Sequence, residues 1–153
     1  MRPVLAVVGP TASGKTRLSL LLAERLNGEI VSADAMQVYR GMEIGTAAPT
    51  PAERARAPHH LVSFLSPDVL MAAGRFQKEA RECVRGIQAR GRTALVVGGS
   101  GLYVRALLDG LFEGPGRDEA LRARLREEAA ALGNAALMAR LREVDPDYAA
   151  TLS

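Results

Sequence analysis

Gly9-Pro10-Thr11-Ala12-Ser13-Gly14-Lys15-Thr16 sets two glycines, a lysine and a threonine at the spacing of a phosphate-binding loop. The glycines let the backbone turn tightly enough for successive N–H groups to aim at one phosphate group. A helix starting from such a loop adds the partial positive charge of its N-terminus, Lys15 adds a full charge, and the Thr16 hydroxyl can hold Mg²⁺. Lys15 also stands out in composition, because it and Lys78 are the only lysines among 20 basic residues. A compact ammonium suits a tight cradle that the broad planar fork of arginine would fill. The pattern specifies a phosphate and leaves open which one.

Two further segments carry groups that could work with this loop. Asp34 opens Asp34-Ala35-Met36-Gln37-Val38-Tyr39-Arg40-Gly41 directly after an apolar stretch. An aspartate at the carboxyl end of a strand next to the loop's own strand points into the ligand crevice of an open α/β sheet. The alternative is an aspartate that caps a short turn. Gly98-Gly99-Ser100-Gly101-Leu102-Tyr103 reads as a strand-to-helix turn at the same edge, with Ser100 as a helix cap or a ligand contact.

The elements that must position these groups are legible as patterns. Val4 to Val8 is a short β-rich run, expected to be a strand buried on both faces. Thr16 to Leu26 has a helical period through Leu18, Leu21, Leu22 and Leu26, and Asn27-Gly28 stops it. Glu29 to Ala33 reads as a second strand, and 41–58, with Gly45, Pro49, Pro51 and Pro58, as a loop with one short helix over 51–57. His60 to Leu65 reads as a short strand. Ala72 to Arg90 is an amphipathic helix that turns Phe76, Ala80, Val84 and Ile87 inward, and Thr93 to Val97 is the next buried strand. A helix then runs to Gly110. After Gly114-Pro115-Gly116 the chain becomes charged and alanine-rich, with helices over 118–132 and 135–144. The expected fold is therefore α/β, a P-loop NTPase-like parallel sheet flanked by helices over 1–113, with a helical insertion subdomain beginning at 114–153.

Composition narrows the class. The 153 residues are 48% hydrophobic, which suits one core and not two. The single cysteine, Cys83, rules out a disulfide framework or a multi-cysteine zinc site and reads as a buried small apolar residue. The apolar runs are strand-length, far short of a membrane span. The expectation is a cytoplasmic monomer with no membrane partner and no signal region at its start. His59 and His60 read as strand-edge packing residues, the arginines of 117–126 as a solvated helix face, and Tyr39, Phe64, Phe76 and Tyr103 as core or rim.

Taken in order, GPTASGKT, SADAMQVYRGMEIGTAAPT, PHHLVSF and VVGGSGLYVRALLDGL resemble the tRNA dimethylallyltransferase family over nearly the whole chain. The resemblance implies transfer of a dimethylallyl group from dimethylallyl diphosphate to N6 of the adenosine 3′ of the anticodon, on the anticodon stem-loop of tRNA. It implies that residues Gly9 to Thr16 hold the donor's diphosphate with Mg²⁺ on Thr16, that Thr11 hydrogen-bonds the departing diphosphate, and that Asp34 takes the N6 proton. Asp34, Ala35, Met36, Gln37, Ser100 and Arg122 fall at its tRNA contacts, with Gln37 a reader of the base edge. The chain departs from the family at Ala35, Ala48 and Ser100, where serine, lysine and threonine are usual. Such proteins also continue past position 153, where the rest of the helical domain, further sheet elements and another diphosphate-gripping arginine follow. The chain is then expected to be either a fragment of a longer enzyme or a naturally short form. Three other functions share the loop: a nucleotide kinase binding ATP, an adenylate isopentenyltransferase, and a non-catalytic diphosphate- or tRNA-binding piece.

Overall fold

The computed structural model describes residues 3–111 and 118–152. The apolar runs become four parallel strands: β1 (Leu5–Val8), β2 (Gly28–Ser32), β3 (His59–His60) and β4 (Thr93–Gly98). Between them run α1 (Lys15–Arg25), α2 (Pro51–Arg56) and α3 (Ala73–Ala89), and α4 (Gly101–Leu108) follows β4. These elements lie in one compact unit, Met1–Phe112. A second unit, Glu113–Ser153, holds α5 (Glu119–Leu132), α6 (Asn134–Val144) and α7 (Pro146–Ala150). The Gly114-Pro115-Gly116 break and Arg117 lie outside the described residues. The fold class is the α/β arrangement that the loop motif implied.

The strand order corrects one expectation. It is β1-β4-β2-β3, so β4 and not β2 neighbours the strand that feeds the phosphate loop. The connection through α1 skips a position, and the later β4 fills it, with Leu5 opposite Leu95 on one side and Ile30 opposite Leu95 on the other. Asp34 therefore sits one strand further from the loop than adjacency in sequence suggested. β1 itself is not buried on both faces. Among the described residues it is an edge paired only with β4, and Val8 is 58% exposed.

Helix α1 also turns a different face inward. Ser19, Leu20 and Ala23 are buried, while Leu18, Leu21 and Leu26 are exposed. Leucines lie all around this helix, so periodicity alone could not choose a face. The small Ser19 and Ala23 let the helix come close to the sheet. Its stop is set at Asn27, whose φ of 48° is left-handed, and Gly28 already belongs to β2.

The strand expected over 60–65 is cut to two residues, because Leu61 and Ser63 take positive φ values of 58° and 49°. Only a single bridge, Tyr39 to Leu65, continues the pairing. Helix α3 buries Phe76, Ala80, Val84 and Ile87 as expected, against the faces of β2 and β4 and beside α4. Phe76 stacks on Tyr103 at a ring separation of 4.3 Å. Cys83 is half-buried at the margin of this core, less enclosed than expected, and burial there pushes its thiol up. α7 was not foreseen, although its signals are ordinary: the Asp145 side chain accepts from the Tyr148 N–H at 3.0 Å, and Pro146 occupies the first turn.

Candidate functional site

The loop between β1 and α1 is shaped by two left-handed residues, Ala12 at φ 63° and Gly14 at φ 84°. Gly14 is the N-cap of α1, and no side chain caps that end. The first-turn N–H groups therefore stay available to an anion. Lys15 folds back across the loop and donates from Nζ to the Pro10 carbonyl at 2.6 Å, which holds its charge over the same concavity. Below it, buried Ser19 donates to the Thr16 carbonyl at 2.9 Å.

A cavity of about 150 Å³ opens here. Thr11, Ala12, Lys15 and Thr16 line it from the loop, and Asp34 and Gln37 from the turn after β2. Its volume is below the roughly 300–1,000 Å³ of a site that encloses a whole drug-sized ligand. It accommodates a compact anionic group. Gly9, Pro10, Ser13 and Gly14 shape the loop without lining the cavity.

Asp34 caps its own turn and lines the cavity. Its Oδ1 accepts from the Met36 N–H at 2.9 Å and the Gln37 N–H at 3.2 Å, which is the geometry of a turn cap. No hydrogen bond of its other carboxylate oxygen is seen among the described residues, and Asp34 lines the cavity. Ala35 and Met36 are exposed on the turn. Both N–H groups of the Gln37 amide are taken internally, by the carbonyls of Thr46 at 3.3 Å and Ala47 at 3.2 Å. Any contact of Gln37 with a base edge falls to its amide oxygen.

His59 was set aside in the sequence as a packing residue, yet it lines the cavity. Its Nδ1 lies 2.8 Å from the Ala57 carbonyl, an acceptor only, so Nδ1 carries the proton and Nε2 the lone pair. Burial pushes its pKa below the usual imidazole range. No periodicity or motif could have singled it out; two residues of β3 suffice to bring it beside the loop. Ser100 is the N-cap of α4, accepting from the Tyr103 N–H at 3.4 Å, and is not among the cavity's lining residues.

The model of the IPP transferase family matches residues 37–153. The chain belongs to the IPP transferase family. A tRNA dimethylallyltransferase of Anaeromyxobacter sp. is 58% identical over 97% of this chain and 49% of its own length. One from Pseudarthrobacter chlorophenolicus is 55% identical over 99% of the chain and 50% of its own. Among solved structures, the tRNA isopentenylpyrophosphate transferase of Bacillus halodurans superposes with a TM-score of 0.72 at 43% identity, over 99% of this chain and 50% of that one. A eukaryotic dimethylallyltransferase acting on tRNA gives 0.80 at 27% identity, over 95% and 36%. The chain thus spans about half the length of the curated relatives it matches.

In this IPP transferase chain the family model begins after the phosphate loop, while the relatives match 97–99% of the chain. Arg122 belongs to the second unit, exposed on α5, where no residue is buried. Among the described residues no group of three or more His, Cys, Asp or Glu side chains could hold a metal. Gly98 lets the end of β4 approach Ala33: a Cβ at this position would lie 2.2 Å from the Ala33 carbonyl oxygen. Gly98→Ala is expected to destabilise the fold by about 1–3 kcal/mol, the usual cost of overpacking. A urea melt beside wild type measures it, and an unchanged midpoint would show that the contact can relax freely.

Proposed function

We propose that the chain carries the donor-binding and proton-accepting part of a transferase that moves a dimethylallyl group from dimethylallyl diphosphate to N6 of the adenosine 3′ of the anticodon in tRNA. The observation that carries this reading is Asp34. One carboxylate oxygen fixes the side chain by capping its own turn, and the residue lines the cavity that Lys15, Thr11 and Thr16 also line. A phosphate-binding loop alone would suit a kinase; an oriented carboxylate beside it suits an acceptor that must lose a proton.

An exocyclic adenine amine is a weak nucleophile, because its lone pair is delocalised into the ring. Removing its proton as the bond to the allylic carbon forms prevents a positive charge from building up, which is the task given to Asp34. The base has to leave its stack to reach this point. The departing diphosphate is met by Lys15, by the uncapped N–H groups of α1 and by the Thr11 hydroxyl. Mg²⁺ would be held by the Thr16 hydroxyl, since such ions need few protein ligands, and it would offset charge on the diphosphate. The second unit, with Arg122 and the other exposed arginines of α5, is assigned to tRNA contact.

The exposed edge of β1, with Leu18, Leu21 and Leu26 exposed on α1, supports the reading that further chain packs here in the complete enzyme. Donor choice is tested by calorimetric titration with dimethylallyl diphosphate, inorganic pyrophosphate and ATP. Binding of the first two and little of ATP is expected; tight ATP binding with none of the isoprenoid would return the chain to the kinase reading. Lys15→Ala should weaken the diphosphate by about 1.5–3 kcal/mol, roughly one to two powers of ten in Kd, through loss of a charge-assisted contact.

A further inference from the structure

We propose that Ser32 and Gln37 are positioning residues: together they hold the 42–49 loop in place as a wall of the phosphate cavity. Ser32 lies at the end of β2, is 3% exposed, and donates from Oγ to the Gln37 amide oxygen at 3.2 Å. The opposite end of that amide faces two backbone carbonyls, of Thr46 and Ala47. Carbonyls only accept, so the amide has one possible orientation, with NH₂ toward the loop and oxygen toward Ser32. One side chain thereby ties a strand of the sheet to a segment ten residues further along.

Outside ties hold the ends of this loop, Arg54 Nε to the Pro49 carbonyl at 3.0 Å and the Glu43 carboxylate with Ser63, but neither reaches Thr46 or Ala47. The loop holds Ala47 at a φ of 49°, a left-handed conformation that alanine seldom adopts, and its own bonds are short-range turns: Ala47 N–H to the Ile44 carbonyl at 3.2 Å and Ala48 N–H to the Glu43 carbonyl at 2.9 Å. Ile44 at its tip is fully exposed and adds no packing. Yet Thr46, Ala47 and Pro49 line the same cavity as Lys15 and Asp34. The bracket also shares its turn with the catalytic candidate, since the Gln37 N–H is one of the two that fix the Asp34 carboxylate. One residue thus couples the loop wall to the orientation of Asp34.

The inference rests on the reading that this cavity takes the donor's diphosphate, and two separate measurements keep the two apart. Hydrogen exchange by mass spectrometry on the 153-residue chain follows the loop peptide 42–49 against β4 as an internal reference. Gln37→Glu keeps the size of the side chain and an acceptor for Ser32 but sets an oxygen against two carbonyls; Ser32→Ala removes only the strand end of the bracket. Loop exchange is expected to rise about 10-fold in Gln37→Glu and less in Ser32→Ala, with β4 unchanged. Calorimetry with inorganic pyrophosphate and Mg²⁺ should show Kd raised several-fold in the same order, and Gln37→Leu should repeat the pattern without adding charge. Loop exchange at wild-type rates in all three variants would overturn the proposal, because a residue serving only to read a base leaves the loop untouched. Should wild type itself fail to bind pyrophosphate, the donor reading falls, and the exchange data alone decide the bracket.

Discussion

Replacing Asp34 with asparagine is expected to lower the single-turnover rate of transfer by about 10²–10⁴, the usual share of a general base. The structure makes this substitution unusually clean. Asparagine keeps an Oδ1 that can accept from the Met36 and Gln37 N–H groups, so the turn and the direction of the side chain are retained. What changes is the second carboxylate oxygen, which does not cap the turn and becomes an NH₂ that cannot take a proton. Donor affinity should stay near wild type or tighten slightly as a negative charge leaves the neighbourhood of the diphosphate. The measurement needs a chain completed with the C-terminal half of a relative such as the Anaeromyxobacter enzyme, a stem-loop RNA acceptor, and donor binding followed in parallel. A wild-type rate would leave Asp34 with its capping role alone.

The second large effect lies at the opposite end of the strands and concerns stability. Glu29 near the start of β2 is 3% exposed, and it is held by His60 Nε2 at 2.6 Å, Arg90 at 2.7 Å and Arg92 at 3.2 Å. Burial works to raise its pKa, but the hydrogen bonds and charges of Arg90 and His60 outweigh it and hold the carboxyl below the usual range. A carboxylate whose pKa is depressed by folding contributes stability above its unfolded pKa, near 4.3, and that contribution is lost as pH falls through the folded value. Glu29→Gln should therefore cost about 1.5–3 kcal/mol at pH 7, because an uncharged amide offers Arg90 and Arg92 one acceptor oxygen in place of a carboxylate's two. Urea melts at pH 7 and at pH 3 should show the gap between wild type and variant closing in acid. A gap that stays constant would mean that the charge of Glu29 is not what these partners hold.

These two residues differ in how far sequence could reach them. Asp34 was visible because a polar residue after an apolar run, beside a glycine loop, has few other uses. Glu29 carried no such sign: a glutamate early in a strand looks like an ordinary exposed position, and its partners come from β3 and from the turn between α3 and β4. The same holds for His59, which joins the cavity only because two residues of β3 pair with β2. Gln37 was visible as a candidate, but its orientation toward Thr46 and Ala47 depends on a loop conformation that no pattern encodes.

What the sequence by itself determined is local: the phosphate loop, the helix after it, the buried face of α3 and the alternation of strands and helices that makes a parallel sheet. Such features follow from spacing within a few residues, where backbone geometry ties residue type directly to conformation. Only the tertiary structure decided the strand order, the exposure of β1, the face that α1 turns inward and the set of side chains that share the cavity. Each of these depends on which elements compete for the same neighbour: β4 takes the place beside β1 because packing, registered over Leu5 to Gly98, is settled between segments some ninety residues apart.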